Sequence, residues 1–273
     1  MPEHTSSLDH TTTIDALEAV LATTVALATD TPADLPIATC PGWDAAALWR
    51  HLGMVHRWAA ETVATRSDVA IDRRTMDMHL PGDDHWAPWL AEGADALLGT
   101  LRDTAADEPV WVWADDPRAC WWARRQLHET VVHNADAALA LGRGTDGAID
   151  VPPAIAADGI DELLDNLPAR LGWRGDEAPA LPELTVHLHA TDTDGDGARL
   201  GDSGEWMVTT STDAVTYTHG HGKGDIAVRA PVGHLLLACY GRLPVDGTGA
   251  AGGAAIFGRP GDWDRFLEVV TLG

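Results

Sequence analysis

The sequence predicts an α+β protein, a four-helix bundle followed by a small α+β domain. Three observations predict it. Through the first half, apolar residues recur three and four positions apart, as on the buried face of a helix. The run GRGTDGAIDVPP at 142–153, punctuated by Gly and Pro, then breaks the chain. Beyond it the period falls to two in several short segments separated by Gly- and Asp-rich turns. At 273 residues the chain is long enough for two cores. The expected domains are 1–146, a helical bundle, and 154–273, the α+β part.

The first helix is expected from about Thr12 to Ala28, with Ile14, Leu17, Leu21, Thr24 and Ala28 forming its stripe. Three prolines mark residues 30–42 as a loop. Asp44 is a good N-cap for the second helix, whose inward stripe is Leu48, Leu52, Val55 and Ala59. Residues 66–83 read as loop, and a third helix runs from about Asp84 to Asp103, with Pro88 tolerated in its first turn. Residues 107–121 are irregular and Trp-rich. Trp122–Leu141 lacks Gly and Pro and is rich in good helix formers, which makes it the fourth helix. A further helix is expected over 154–171. Strands follow at Leu184, Trp206, Ala214 and Asp225, then helices near 235–240 and 261–270, with the strands forming an antiparallel sheet. The Asp-rich run 192–202 lacks a closing Glu at its twelfth position, where Ser203 stands, and reads as a hairpin turn rather than a calcium loop.

A formal charge of −24, from 18 basic and 42 acidic residues, argues against nucleic acid or an anionic membrane as partner. No 18-residue uncharged apolar run occurs, so no membrane-spanning helix is expected, and the N-terminus lacks the pattern of a secretory signal. Cys40, Cys120 and Cys239 are scattered and form no CxxC pair, as expected of reduced thiols in a cytoplasmic protein. The 12 Trp against two Phe and two Tyr is unusual usage, and several of them fall near His51 and Glu129 in the sequence.

Glu129 and His133 stand four residues apart, so both side chains leave the fourth helix on one face. His51 shares the inward stripe of the second helix. One His from one helix and Glu-x-x-x-His from another can meet inside a bundle, and three N/O ligands with an open position make a catalytic zinc site. By pattern alone, Glu129 and His133 could equally be a surface pair and His51 a packed core histidine. Burial of Glu129 would favour the metal. Around this trio, His56 falls on another face of its helix and reads as a surface or supporting residue. Asp136 could accept a hydrogen bond from an imidazole or equally be a solvated acid, Arg124 and Arg125 could steer an anionic substrate or equally be bundle-surface charges, and Trp43, Trp58 and Trp122 read as core or pocket wall.

The run CPGWDAAALWRHLGMVHRWAAETV, followed by RRQLHETVVHNADAALALG, resembles the mycothiol-dependent maleylpyruvate isomerase family of the DinB-like superfamily. DGIDELL, TVHLHATD, GEWMV, DIAVRAP, LLLACYGR and IFGRPGDWDRFL extend the resemblance, in order, over almost the entire chain. It implies a DinB-like four-helix bundle with a sterol-carrier-like α+β domain behind it. It also implies a divalent metal, zinc first, held by His51, Glu129 and His133, with mycothiol as thiol cosubstrate. The implied chemistry is addition of a metal-bound thiolate to an activated double bond of a small electrophile, by an isomerase or a thiol S-transferase. The alternatives are a metal-dependent hydrolase using activated water, or a non-catalytic binding protein. Arg242, ending a helix of the second domain, is expected to reach a substrate carboxylate. Asn134 replaces the Arg usual in the family after the second His and is expected to face solvent. A monomer or small homo-oligomer is expected.

Overall fold

The computed structural model describes residues 8–82, 85–144, 148–175, 180–192, 200–212, 214–245 and 254–271. The chain divides at Ile149/Asp150 into two compact units.

The first unit holds four long helices, α1 (His10–Asp30), α2 (Ala45–Ala64), α3 (Trp86–Arg102) and α4 (Ala119–Ala140). The starts of α1 and α2 are set by side-chain caps: Asp9 accepts the Thr12 N–H, and Asp44 accepts the Ala47 N–H at 2.8 Å. Each cap satisfies a backbone donor that the first turn leaves without a helical partner. α1 packs on α3 and α4, and α2 packs on the same two helices. The apolar stripes read from sequence are the buried ones, with Ile14, Leu17 and Leu21 on α1 and Leu48, Leu52, Val55 and Ala59 on α2. By length and composition α1 could cross a membrane even though it carries charges. Its apolar face is instead spent on the bundle core.

α4 begins at Ala119, within the Trp-rich stretch expected to be irregular. That stretch is held by main-chain bonds from Ala119 to Glu108 and from Cys120 to Ala106, and its indoles pack edge to face, Trp121 on Trp122 and Trp113 on Trp121. The expected start of α3 at Asp84 falls outside the described residues, and the described helix opens at Trp86.

The second unit contains α5 (Pro153–Arg174), α6 (Val232–Cys239), α7 (Pro260–Val270) and a five-stranded sheet of order β3-β2-β1-β4-β5. The strands are β1 (Leu184–Ala190), β2 (Glu205–Ser211), β3 (Ala214–His219), β4 (Ile226–Ala230) and β5 (Ala255–Phe257). The sheet is mixed, not purely antiparallel as the sequence suggested, because β4 runs parallel to β1. After the β2–β3 hairpin the chain returns to the free edge of β1, and that crossover sets the direction of β4. β5, only three residues long, has too little periodicity to be read from sequence. Alternation gives the sheet two faces. Val186, Leu188, Trp206, Val208, Ile226 and Val228 are buried on the side of α5, where the Trp206 N–H donates to Asp161. Thr185, His187, His189, Glu205 and Met207 point the other way. Of the Asp-rich run 192–202, residues 193–199 lie outside the described residues, and Gly201–Gly204 forms a 3-10 turn.

The α2–α3 contact depends on a missing side chain. A Cβ on Gly53 would lie 2.0 Å from a ring carbon of Trp89, and that ring also stacks under the Arg57 guanidinium at 4.1 Å. Gly53→Ala therefore gains up to ~1 kcal/mol of helix propensity but forces a buried indole to move, at a cost of ~1–3 kcal/mol. Urea denaturation should show Gly53→Ala less stable than wild type. Gly99→Ala, on α3 with open space at the Cβ position, should be neutral or stabilising.

Candidate metal centre in the helical bundle

α4 is buried on nearly all sides, and its polar side chains had to find partners inside the bundle. Glu129, His133 and Asp136 recur three and four residues apart and so share one face. From α2, His51 reaches the same point: its Nε2 lies 2.8 Å from Glu129 Oε1. His133 Nε2 lies 3.5 Å from that same oxygen. The structure therefore brings together all three residues singled out from sequence, with His51 Nε2, His133 Nε2 and Glu129 Oε1 turned toward one another.

A second set of contacts orients these groups. The other Glu129 oxygen accepts from the Arg125 guanidinium at 2.6 Å. Arg125 is buried and ion-paired to Glu129 one turn away, so it is not a bundle-surface charge. Arg124 beside it is half-buried. His133 Nδ1 sits 2.9 Å from Asp136 Oδ2, which also accepts from the Cys40 thiol at 3.3 Å. Asp136 is fully buried and acts as the imidazole's acceptor, leaving Nε2 toward Glu129. Cys40 was not singled out for this place. It arrives through the tight Cys-Pro-Gly-Trp turn before α2, closed by the Trp43 N–H on the Cys40 carbonyl, and that turn is the only sequence signal for it. Trp43 comes from the same turn. Its ring stacks on His133 at 5.9 Å and tilts against His51 at 5.1 Å, walling the cluster.

Burial alone would push the Glu129 carboxyl up, but Arg125, with His133 and His51, holds it well below the usual carboxylate range. His133 goes the other way. Burial disfavours its charged form, yet Asp136, Cys40 and Glu129 raise it well above an ordinary histidine. His56 is completely buried rather than near the surface, and burial drops it to about 3, so it stays neutral. The Thr130 hydroxyl donates to the Gln126 carbonyl and is left to accept from His56 Nε2 at 2.9 Å. Asn134 was expected at the surface and is instead buried against α1. It donates to the Val20 carbonyl and accepts from the Thr24 hydroxyl, both at 2.9 Å. It therefore joins two helices and does not meet solvent. Trp58 and Trp122 stack edge to face at 5.0 Å. Arg242 lies in the second unit just after α6, with its guanidinium on the Tyr240 carbonyl at 2.9 Å.

Two consecutive family models match the chain: the mycothiol maleylpyruvate isomerase N-terminal domain over residues 14–138, and the C-terminal domain of the same family over 154–265. None of the curated proteins matches. Among solved structures, the chain is similar to a histidine-to-alanine mutant of the mycothiol-dependent maleylpyruvate isomerase. The TM-score is 0.52 at 11% identity, over 86% of this chain and 90% of that one, a likeness that speaks for the fold. Matched over both of its units, the chain belongs to the mycothiol-dependent maleylpyruvate isomerase family.

Proposed function

We propose that the protein is a metal-dependent isomerase or thiol S-transferase that uses a low-molecular-weight thiol, mycothiol by family, on a small electrophilic substrate. The observation that carries this reading is the convergence of His51 Nε2, His133 Nε2 and Glu129 Oε1 inside the bundle. The donor set fits a zinc-like ion: two imidazoles and one carboxylate, the carboxylate and one imidazole fixed by further hydrogen bonds. When bound, such an ion supplies the positive charge that lets a thiol lose its proton near neutral pH.

This chain's own residues do the remaining work. Arg125 occupies Glu129 Oε2 and leaves Oε1 to face the histidines. Asp136 accepts the Nδ1 proton of His133, so Nε2 is the nitrogen that would hold an ion. Trp43 covers the imidazoles and limits water access. In the isomerisation, the thiol sulfur forms a C–S bond to one carbon of an activated double bond, and the electron pair moves into the conjugated acceptor. The former double bond rotates as a single bond. Return of the pair expels the thiolate and leaves the other geometric isomer. A transferase would stop at the adduct after protonation. Arg242 remains the candidate for engaging a substrate carboxylate, and Arg242→Ala should raise KM more than it lowers kcat.

Metal analysis of the purified chain tests the ligand set. Wild type loaded with zinc at neutral pH should retain an ion that His51→Ala and Glu129→Gln lose with their helical circular dichroism intact. An apo wild type after loading would end the proposal. Asp136→Asn should weaken zinc binding by about 10–100-fold while leaving the three donors in place, measured by competition with a chelating dye. Turnover that persists in full without added thiol would rule out the thiol mechanism.

The shifted groups give the pH dependence. His133 must lose a proton from Nε2 to ligate, and its pKa in the metal-free fold is raised. Zinc affinity should therefore climb by up to about tenfold per pH unit and level off above that raised value. Metal-free stability should move oppositely. The contribution from charged His133 is complete below its ordinary value of 6.5 and is lost as pH rises through the folded value. Thermal melts of apo protein across this range check the sign.

A further inference from the structure

A second cluster of metal-ligating groups lies on the sheet of the C-terminal unit, among residues that take no part in the bundle centre. Three imidazole nitrogens surround one carboxylate oxygen, Glu205 Oε2: His187 Nε2 at 2.7 Å, His221 Nδ1 at 2.8 Å and His189 Nδ1 at 3.2 Å. All four ligand atoms lie within 4.8 Å of one another. From these contacts we infer that His187, His189, Glu205 and His221 form a binding site for a divalent first-row transition ion of the zinc class.

The backbone explains how the four meet. His187 and His189 are two residues apart on β1 and point to the same face. Glu205 opens β2 directly opposite His189 in the antiparallel register. His221 follows β3, in a turn tied back by the Gly220 N–H on the Glu205 carbonyl at 3.1 Å. That turn is pressed onto the strands by glycines. A Cβ on Gly224 would lie 2.7 Å from the Thr185 carbonyl oxygen and 3.0 Å from the His187 nitrogen, and one on Gly222 would lie 2.8 Å from the Met207 sulfur. The close approach of the turn brings His221 over the two β1 histidines, with ring centroids 5.0 Å apart for His187 and His221.

Plain hydrogen bonding accounts poorly for this geometry. A carboxylate oxygen has two lone pairs, yet three ring nitrogens crowd Glu205 Oε2. Four ligands held tetrahedrally at about 2.0–2.1 Å from zinc stand roughly 3.3 Å apart, so His189 Nδ1 at 3.2 Å already has that spacing, and His187 Nε2 and His221 Nδ1 would move out by about 0.5 Å to admit an ion. His187 is almost completely buried, which leaves its Nε2 little access to water. His219, in contrast, is bound to Asp161 at 3.1 Å and is no part of the cluster. Arg229, in register with His189 from β4, is exposed. Imidazole donors favour zinc, cobalt, nickel or copper over magnesium or calcium.

Cobalt(II) binding to the full-length, untagged chain tests the site. The background is His51→Ala/Glu129→Gln, which removes two donors of the bundle centre so that its failure cannot be confused with failure here; Cys40, His133 and Asp136 remain in the bundle, and the His221 variant separates any binding there from binding on the sheet. This protein should still bind a cobalt ion with a visible ligand-field band that zinc displaces. Adding His221→Ala should weaken binding by at least about tenfold. The His221 side chain is 77% exposed, so this substitution leaves the fold intact, as far-UV circular dichroism would verify. Glu205→Gln should act in the same direction. Absence of cobalt binding in the double variant, or binding that His221→Ala leaves unchanged, would overturn the inference.

Discussion

A carboxylate in the middle of a helix bundle cannot be left by itself, and the first unit is arranged around that constraint. Glu129 keeps 22% of its side chain exposed, yet an uncompensated charge this far out of water is still unfavourable. Arg125 one turn before it, His133 one turn after it and His51 from α2 together hold it ionised. The same demand recurs along α4. Asp136 takes His133 and Cys40, Asn134 takes Val20 and Thr24 of α1, and Thr130 takes His56 of α2. The partners outside α4 come from α1, α2 and the Cys40 turn. Sliding or rotating α4 by one residue would break the contacts to His51, Cys40, Val20, Thr24 and His56 at once, so these polar contacts fix the register that apolar packing alone would leave looser. The arrangement of the candidate centre and the specification of the bundle rest on one set of interactions.

This explains which parts could be read in advance. The apolar stripe of α2 and its Asp44 cap are local signals, and His51, lying between Leu48 and Val55, had to turn inward with them. The i,i+4 spacing of Glu129 and His133 is equally local. α4 defeats periodicity because it is buried all round and carries polar residues on several faces. Arg125 and Asn134 consequently looked like surface residues. Their burial follows from α1 and from a neighbouring carboxylate, and no window of sequence contains both partners. Cys40 is hidden for the same reason, since Asp136 is 96 residues away.

The sheet repeats the lesson in another form. Alternation along LTVHLHA is enough to put His187 and His189 on one face, opposite Val186 and Leu188. It does not say what lies across from them. Glu205 reaches His189 through strand register, and His221 arrives because two glycines let its turn lie flat on the strands. The parallel pairing of β1 with β4 is of the same non-local kind. Composition points only to a generally acidic chain, with a formal charge of −24, and says nothing of where its cations would sit.

The two clusters share a design and differ in what they can do. Each gathers imidazoles around a single glutamate oxygen, Oε1 of Glu129 and Oε2 of Glu205. In the bundle the protein offers two imidazoles and one carboxylate, and the supporting contacts come from buried Arg125 and Asp136. Three donors, two of them held by further hydrogen bonds, would suit an ion that also accepts an outside sulfur or oxygen. On the sheet the protein offers three imidazoles and one carboxylate, enough to complete a tetrahedral shell without help from a substrate. One of those donors, His221, sits on an exposed turn, so occupancy there would fasten the turn to β1 and β2 and not poise a reagent. Under the two proposals, the count of donors, with the stiffness of what stands behind them, would distinguish a centre for chemistry from one that fastens a turn.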